Sequence, residues 1–377
     1  MAVRPGILSF AVGLPASELF PVEALARAHA ALLPSDPEAL QYGVPYVGLK
    51  AEIVKLMALR GVDCRPEQVF LTSGAQQAMD LLARLLLDPG GQVLLEETVY
   101  DGMQGAVRRL QPEILTVPTD METGLDVDAV ERYLTSGAAP AFLYAIPAGH
   151  NPLGATMTIG KRLHLVELAR RFRVPIVEDD AYGFLRYDES PAPALRSLDE
   201  RWVLYVGSFS KILAPALRAG WTVVPEELIP KLSALKHAAD LDTPSFSHRV
   251  IAAYLSTGEL PGQLERIRAE YRRRRDAMLA ALEAHFPAEA RWNHPRAGMF
   301  VWVELPRGLN AASMLRSAIE EERIAFSPGQ TFATTGSHAN HCMRLAFTNC
   351  PPERIEDGIR RLARIVNEAL ATMSARR

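Results

Sequence analysis

Lys211 closes the run Trp202-Val203-Leu204-Tyr205-Val206-Gly207-Ser208-Phe209-Ser210-Lys211, where apolar and branched side chains give way abruptly to hydroxyls and an amine. The apolar part reads as a buried strand. A lysine at the mouth of such a strand is desolvated, which lowers its pKa and frees the amine for Schiff-base chemistry. A lone lysine is more often a surface group whose stem covers apolar neighbours, so the assignment leans on three further stretches. Ser73-Gly74-Ala75-Gln76 follows a strand-like run at 68–72 and opens an apolar helix reaching about residue 87. The free N–H groups and the dipole of such a helix start attract anions. Asn151-Pro152-Leu153-Gly154 is a turn after the apolar run 141–146. The strand at 174–178 runs into Asp179-Asp180-Ala181-Tyr182 and brings an acid to the carboxyl edge of a parallel sheet. In chain order these supply an anion cradle, an amide, an acid and a reactive amine.

The elements that must position them alternate in type. Residues 92–95, 113–117, 141–146, 174–178, 202–207 and 219–224 read as strands separated by helical patterns, which argues an α/β fold with a mostly parallel sheet between helices. An irregular arm at 10–21 leads into a helix at 22–33. The segment 47–60 reads as a helix with Leu49, Ile53, Leu56, Met57 and Leu59 mostly on one face. Beyond Pro225, helical patterns and a long helix at 262–286 lead to a smaller α+β part. It has a strand at 298–305, a helix at 311–322, a strand at 343–347 and a last helix at 352–373. The expected division is an N-terminal arm and helix at 1–40, a large domain at 41–245, and a small C-terminal domain at 246–377 completed by the N-terminal segment.

Composition narrows the class. A chain of 377 residues, 48% hydrophobic, exceeds one ordinary domain and can bury a large core. Its net charge of −3 gives no reason to expect a nucleic-acid partner. The basic run from Arg272 to Arg275 lies inside the long helix and reads as a solvated face. Cys64, Cys342 and Cys350 show no paired spacing, which suits a reducing compartment. The start lacks a long apolar segment and no run approaches membrane-spanning length, so a cytoplasmic enzyme without membrane contact is expected.

As an ordered set these motifs resemble the fold type I pyridoxal phosphate (PLP) aminotransferases of class I/II, and within them the 2-aminoadipate and kynurenine aminotransferase-like enzymes. The resemblance runs from Arg4-Pro5-Gly6-Ile7-Leu8-Ser9-Phe10 almost to the C-terminus. It implies transfer of an amino group between an L-amino acid and a 2-oxo acid through a Lys211 Schiff base. Asp179, selected over Asp180 by the pattern Asp-x-Ala-Tyr, would pair with the pyridinium nitrogen, and Asn151 and Tyr182 would face the ring oxygen. Ser73, Gly74, Ala75, Gln76, Ser208, Ser210 and Arg218 would hold the phosphate, and Tyr100 would stack on the ring. Arg344, in Arg-Leu-x-Phe, would clamp the substrate α-carboxylate, and Gly13 would let the arm approach substrate closely. Tyr42 would reach the partner subunit's phosphate, which implies a homodimer with shared active sites.

Departures gather where substrate should enter. Val12 precedes Gly13 where the family commonly has a second glycine, and Gly43 to Gly48 alters the spacing after Tyr42. His150 replaces an amide beside Asn151 and is an extra acid/base candidate, although a packed histidine is the commoner case. The entrance changes also admit a PLP enzyme of elimination, replacement or carbon–carbon bond formation on the same fold. Ser208-Phe209-Ser210-Lys211 satisfies Ser-x-x-Lys, the pair of certain acyl enzymes, but their companion motifs are absent. A PLP-responsive transcription regulator would carry a helix-turn-helix region that this sequence does not contain. His338-Ala339-Asn340-His341-Cys342 reads as a polar loop, and no metal site is expected.

Overall fold

The computed structural model describes residues 6–43, 45–188, 193–241 and 244–375. Arg4, Pro5 and Val44 lie outside them. A seven-stranded sheet runs in the order Val69–Thr72, Gly220–Val223, Val203–Ser208, Ile176–Asp179, Leu143–Ala145, Gln92–Glu96, Glu113–Val117. Gly220–Val223 is antiparallel to both neighbours, and the pairs from Val203–Ser208 outward are parallel. The central strands are buried along their whole length because helices cover both faces, which is why they read as continuous apolar runs. The helices Ala75–Leu86, Asp101–Arg108, Val127–Thr135 and Ile159–Phe172 make the crossovers. Asp126 and Thr158 cap the last two, accepting from the N–H groups of Ala129 and Lys161.

Parallel connections bring the carboxyl ends of neighbouring strands to one edge. Asp179 sits in register with Val206, so the acid and the turn carrying Lys211 lie side by side there. Gly220 allows the start of the helix Ala75–Leu86 to rest on that strand, since a Cβ would fall 2.7 Å from the Gly74 carbonyl carbon.

The C-terminal part is an antiparallel sheet in the order Arg291–Trp292, Phe300–Glu304, Cys342–Ala346, Ser327–Pro328. The long helices Leu260–His285 and Pro352–Ala375 pack on one another beside it. The N-terminal strand Leu8–Ser9 pairs in parallel with Ile324–Ala325, so the start of the chain completes this part. The basic run is a solvated face at Arg272 and Arg273, which are exposed, but not at Arg274. Arg274 is buried and bonds Glu18, Glu270 and the Thr348 carbonyl, and Arg272 donates to the Tyr187 carbonyl. An arginine buried to this extent needs carboxylates and carbonyls around it, and here Arg274 ties Glu18 of the arm to the long helix. The helix Val47–Ala58 buries Leu49, Ile53, Leu56 and Met57 but leaves Leu59 exposed at its C-terminal cap.

Candidate active site

Lys211 lines a cleft of about 330 Å³ at the carboxyl edge of the sheet. Its Nζ donates to the Gly13 carbonyl at 2.9 Å, so the N-terminal arm crosses directly over the amine. Burial pushes the Lys211 pKa down to about 8, with the cations Arg344 and Arg218 acting in the same direction and Asp179 opposing. Part of its surface stays open to the cleft, so the group is both desolvated and reachable.

Asp179 forms another wall. Tyr144 donates to its Oδ2 at 2.7 Å and the Ala181 N–H to its Oδ1 at 3.2 Å. Burial raises its pKa, and those two donors pull the other way. Asp180 turns to the opposite side, because adjacent strand residues do. There it takes Arg60 Nε at 2.8 Å, Arg60 Nη2 at 3.2 Å and the Tyr205 hydroxyl at 3.0 Å.

Arg344 closes a third side. Its guanidinium lies between the rings of Phe300 and Phe332, 4.2 and 4.5 Å from their centroids. It donates to Asn151 Oδ1 and the Ala11 carbonyl, and its Nε is buried without a hydrogen-bond partner among the described residues. Burial lowers its pKa to about 10. A planar cation lining a cleft suits a carboxylate. Asn151 also donates to the Tyr182 hydroxyl at 3.4 Å. Phe300 reaches Arg344 because residue 13 is glycine: a Cβ there would fall 2.6 Å from the ring.

The anion cradle occupies the remaining end. Ala75 and Gln76, in the first turn of their helix, line the cleft with Ser208, Ser210 and Arg218. Gly74 has φ +88°, and a Cβ on it would lie 2.8 Å from Arg218 Nη2, so the glycine admits the guanidinium. Arg218 in turn donates to the Ser73 carbonyl at 2.9 Å. Tyr100 lines the same cleft, its phenol pushed up to about 12, chiefly by burial.

Not every expected residue arrives there. Ser73 points its hydroxyl at Asp240, and neither it nor Gly74 lines the cleft. His150 is fully buried against Glu96 and does not line the cleft, because its ring is drawn inward to the carboxylate. Tyr42 stands 81% exposed outside the cleft of its own chain. Tyr144, Phe300 and Asp101 belong to the site but escaped sequence reading.

The cleft fits pyridoxal phosphate: a lysine with a lowered pKa and a buried carboxylate share one cavity whose far end combines a helix start, serine hydroxyls and an arginine. Comparison with known proteins agrees. A model of aminotransferase class I and II matches residues 5–362, and the chain belongs to that family of PLP-dependent aminotransferases. The 2-aminoadipate transaminase of Thermus thermophilus is 42% identical over 98% of this chain and 92% of its own. The aromatic-amino-acid aminotransferase 1 of Thermococcus litoralis is 37% identical over 97% and 89%. The structure of an alpha-aminoadipate aminotransferase from Thermus thermophilus, complexed with N-(5'-phosphopyridoxyl)-L-leucine, superposes with a TM-score of 0.92 at 40% identity. That match covers 98% of this chain and 94% of the other. The substrates are accordingly amino acids and 2-oxo acids. No helix among the described residues is long and apolar enough to cross a membrane.

Proposed function

We propose that Lys211 would hold the PLP aldehyde and that its amine would carry the proton at the substrate Cα. PLP supplies the electron sink. Asp179 would keep the ring nitrogen protonated, Asn151 and Tyr182 would hold the ring oxygen, and Tyr100 would cover the ring. Ser208, Ser210, Arg218 and the N–H groups of the Ala75–Leu86 helix hold the phosphate, with Ser73 and Gly74 shaping that loop. Arg344 takes the α-carboxylate, and Gly13 lets the arm close over it. The observation that carries this reading is the single cleft in which a lysine of lowered pKa shares walls with a buried carboxylate and a partly unpartnered guanidinium.

The three cleft cations are thereby matched to cofactor and α-carboxylate, which leaves Asp101 as an exposed charge at the mouth. A distal carboxylate would meet it unfavourably, so preferred donors carry uncharged side chains. The reading divides the chain at 1–40, 41–245 and 246–377 and places it in the cytoplasm. It also takes the chain as a homodimer. Leu40, Tyr42, Val47 and Leu241 are all more than half exposed, an apolar surface that a second copy would cover, with Tyr42 delivered to the partner's phosphate.

A rapid-mixing experiment tests it. The holoenzyme and an amino acid alone give a single-turnover spectral change that a 2-oxo acid reverses, faster for leucine or phenylalanine than for glutamate. Continuous product release with no acceptor present would instead indicate elimination or replacement.

A further inference from the structure

Behind the cleft lies a buried glutamate–histidine pair that the chemistry above does not use. Glu96 ends the strand Gln92–Glu96 and His150 precedes Asn151; both are at most 1% exposed, and His150 Nε2 lies 2.9 Å from Glu96 Oε2. The Leu153 N–H points at His150 Nδ1 at 3.4 Å, so that nitrogen accepts and Nε2 carries the proton donated to Glu96. The imidazole therefore ties the turn 150–153 to the sheet from the inside.

The same turn is held from the C-terminal part. The Asn293 side chain donates to the Leu153 carbonyl and accepts from the Trp302 N–H at 2.8 Å. Gly149 and Gly298 meet backbone to backbone, where a Cβ on Gly149 would lie 2.7 Å from the Gly298 Cα. Between these anchors Asn151 projects into the cleft and touches both Tyr182 and Arg344, the latter at 2.7 Å.

Stability alone does not account for Glu96. Its Oε1 is buried without a hydrogen-bond partner among the described residues, a costly arrangement. Replacing both partners of a buried hydrogen bond by apolar groups of the same shape can be nearly neutral in stability. Resting on the PLP reading of the cleft, we infer that Glu96 and His150 are positioning residues: they fix the turn that aims Asn151, and through Asn151 they aim Arg344.

Four variants test this: His150→Ala, Glu96→Ala, Glu96→Gln and, should the alanines fold poorly, His150→Gln. Two readouts are taken on each purified protein, namely cofactor affinity of the apoprotein by titration with PLP, and the KM and kcat of the donor half-reaction. The inference expects His150→Ala and Glu96→Ala to raise both the PLP dissociation constant and the donor KM about tenfold, the factor equal to about 1.4 kcal/mol. Glu96→Gln, which keeps an acceptor oxygen for the imidazole, recovers most of the loss. Variants that lower thermal stability while leaving both constants at wild-type values in the folded fraction would overturn it. Failure of the wild-type protein to bind PLP would instead remove the reading on which the inference stands.

Discussion

The lowered pKa of Lys211 is open to a quantitative test. An ordinary lysine, near 10.5, is free base in about one molecule in 3,000 at pH 7, whereas a group titrating at about 8 is free base in about one in ten. The rate at which apoprotein condenses with PLP follows the free amine, so Lys211 should react about 300-fold faster at pH 7 than an exposed lysine of equal accessibility. The rate should climb through about pH 8 and level off above it. Burial is the first cause of the shift and the cations Arg344 and Arg218 add to it, while Asp179 opposes. Arg218→Met should therefore move the midpoint up, and Asp179→Asn should move it down. The linkage has a definite sign: between about pH 8 and 10.5 the unfolded chain binds the Lys211 proton that the folded chain has released, so folding becomes more favourable as pH rises across that window. The assay is stopped-flow absorbance of apoprotein mixed with PLP at a series of pH values, with Lys211→Ala as the blank. A midpoint at the ordinary lysine value, or one indifferent to both substitutions, would refute the argument from burial and neighbouring charge.

Other consequences follow from particular contacts. Arg344→Ala should raise the donor KM by about 10- to 100-fold with a smaller change in kcat, since it removes charge-assisted bonds to a carboxylate present before and during the reaction; an unchanged KM would place the carboxylate elsewhere. Tyr144→Phe removes the 2.7 Å donor to Asp179 and should weaken PLP binding several-fold, up to about tenfold, measured by equilibrium titration. Arg60→Met leaves Asp180 buried with the Tyr205 hydroxyl as its one remaining side-chain donor among the described residues and should cost about 3–5 kcal/mol in denaturant unfolding; a loss below about 1 kcal/mol would mean that water reaches that carboxylate.

The sheet was legible because its strands are short apolar runs ending in polar residues at the same edge, and helical stretches must separate parallel strands. The cleft was legible for the same reason: Asn151, Asp179, Ser208 and Lys211 each close a strand or the turn after it. What stayed hidden depends on contacts between residues far apart in sequence. Nothing around Tyr144 announces that its ring crosses to Asp179 on the next strand, nor that His150 reaches back 54 positions to Glu96. The Asp179-Asp180 pair shows the limit from spacing alone, since alternation says that one faces the cleft without saying which. Arg272 to Arg275 mislead because a helix 26 residues long presents a different neighbour at each angle, and Arg274 meets Glu18 of the arm. Ser73 reads as a phosphate ligand by type, but the positive φ at Gly74 turns the chain and sends its hydroxyl toward Asp240.

The covalent attachment itself can be observed. Holoenzyme reduced with borohydride, digested and analysed by peptide mass spectrometry should carry one phosphopyridoxyl group per chain, on the peptide containing Lys211. The same mass found on another lysine, with Lys211 unmodified, would contradict the account.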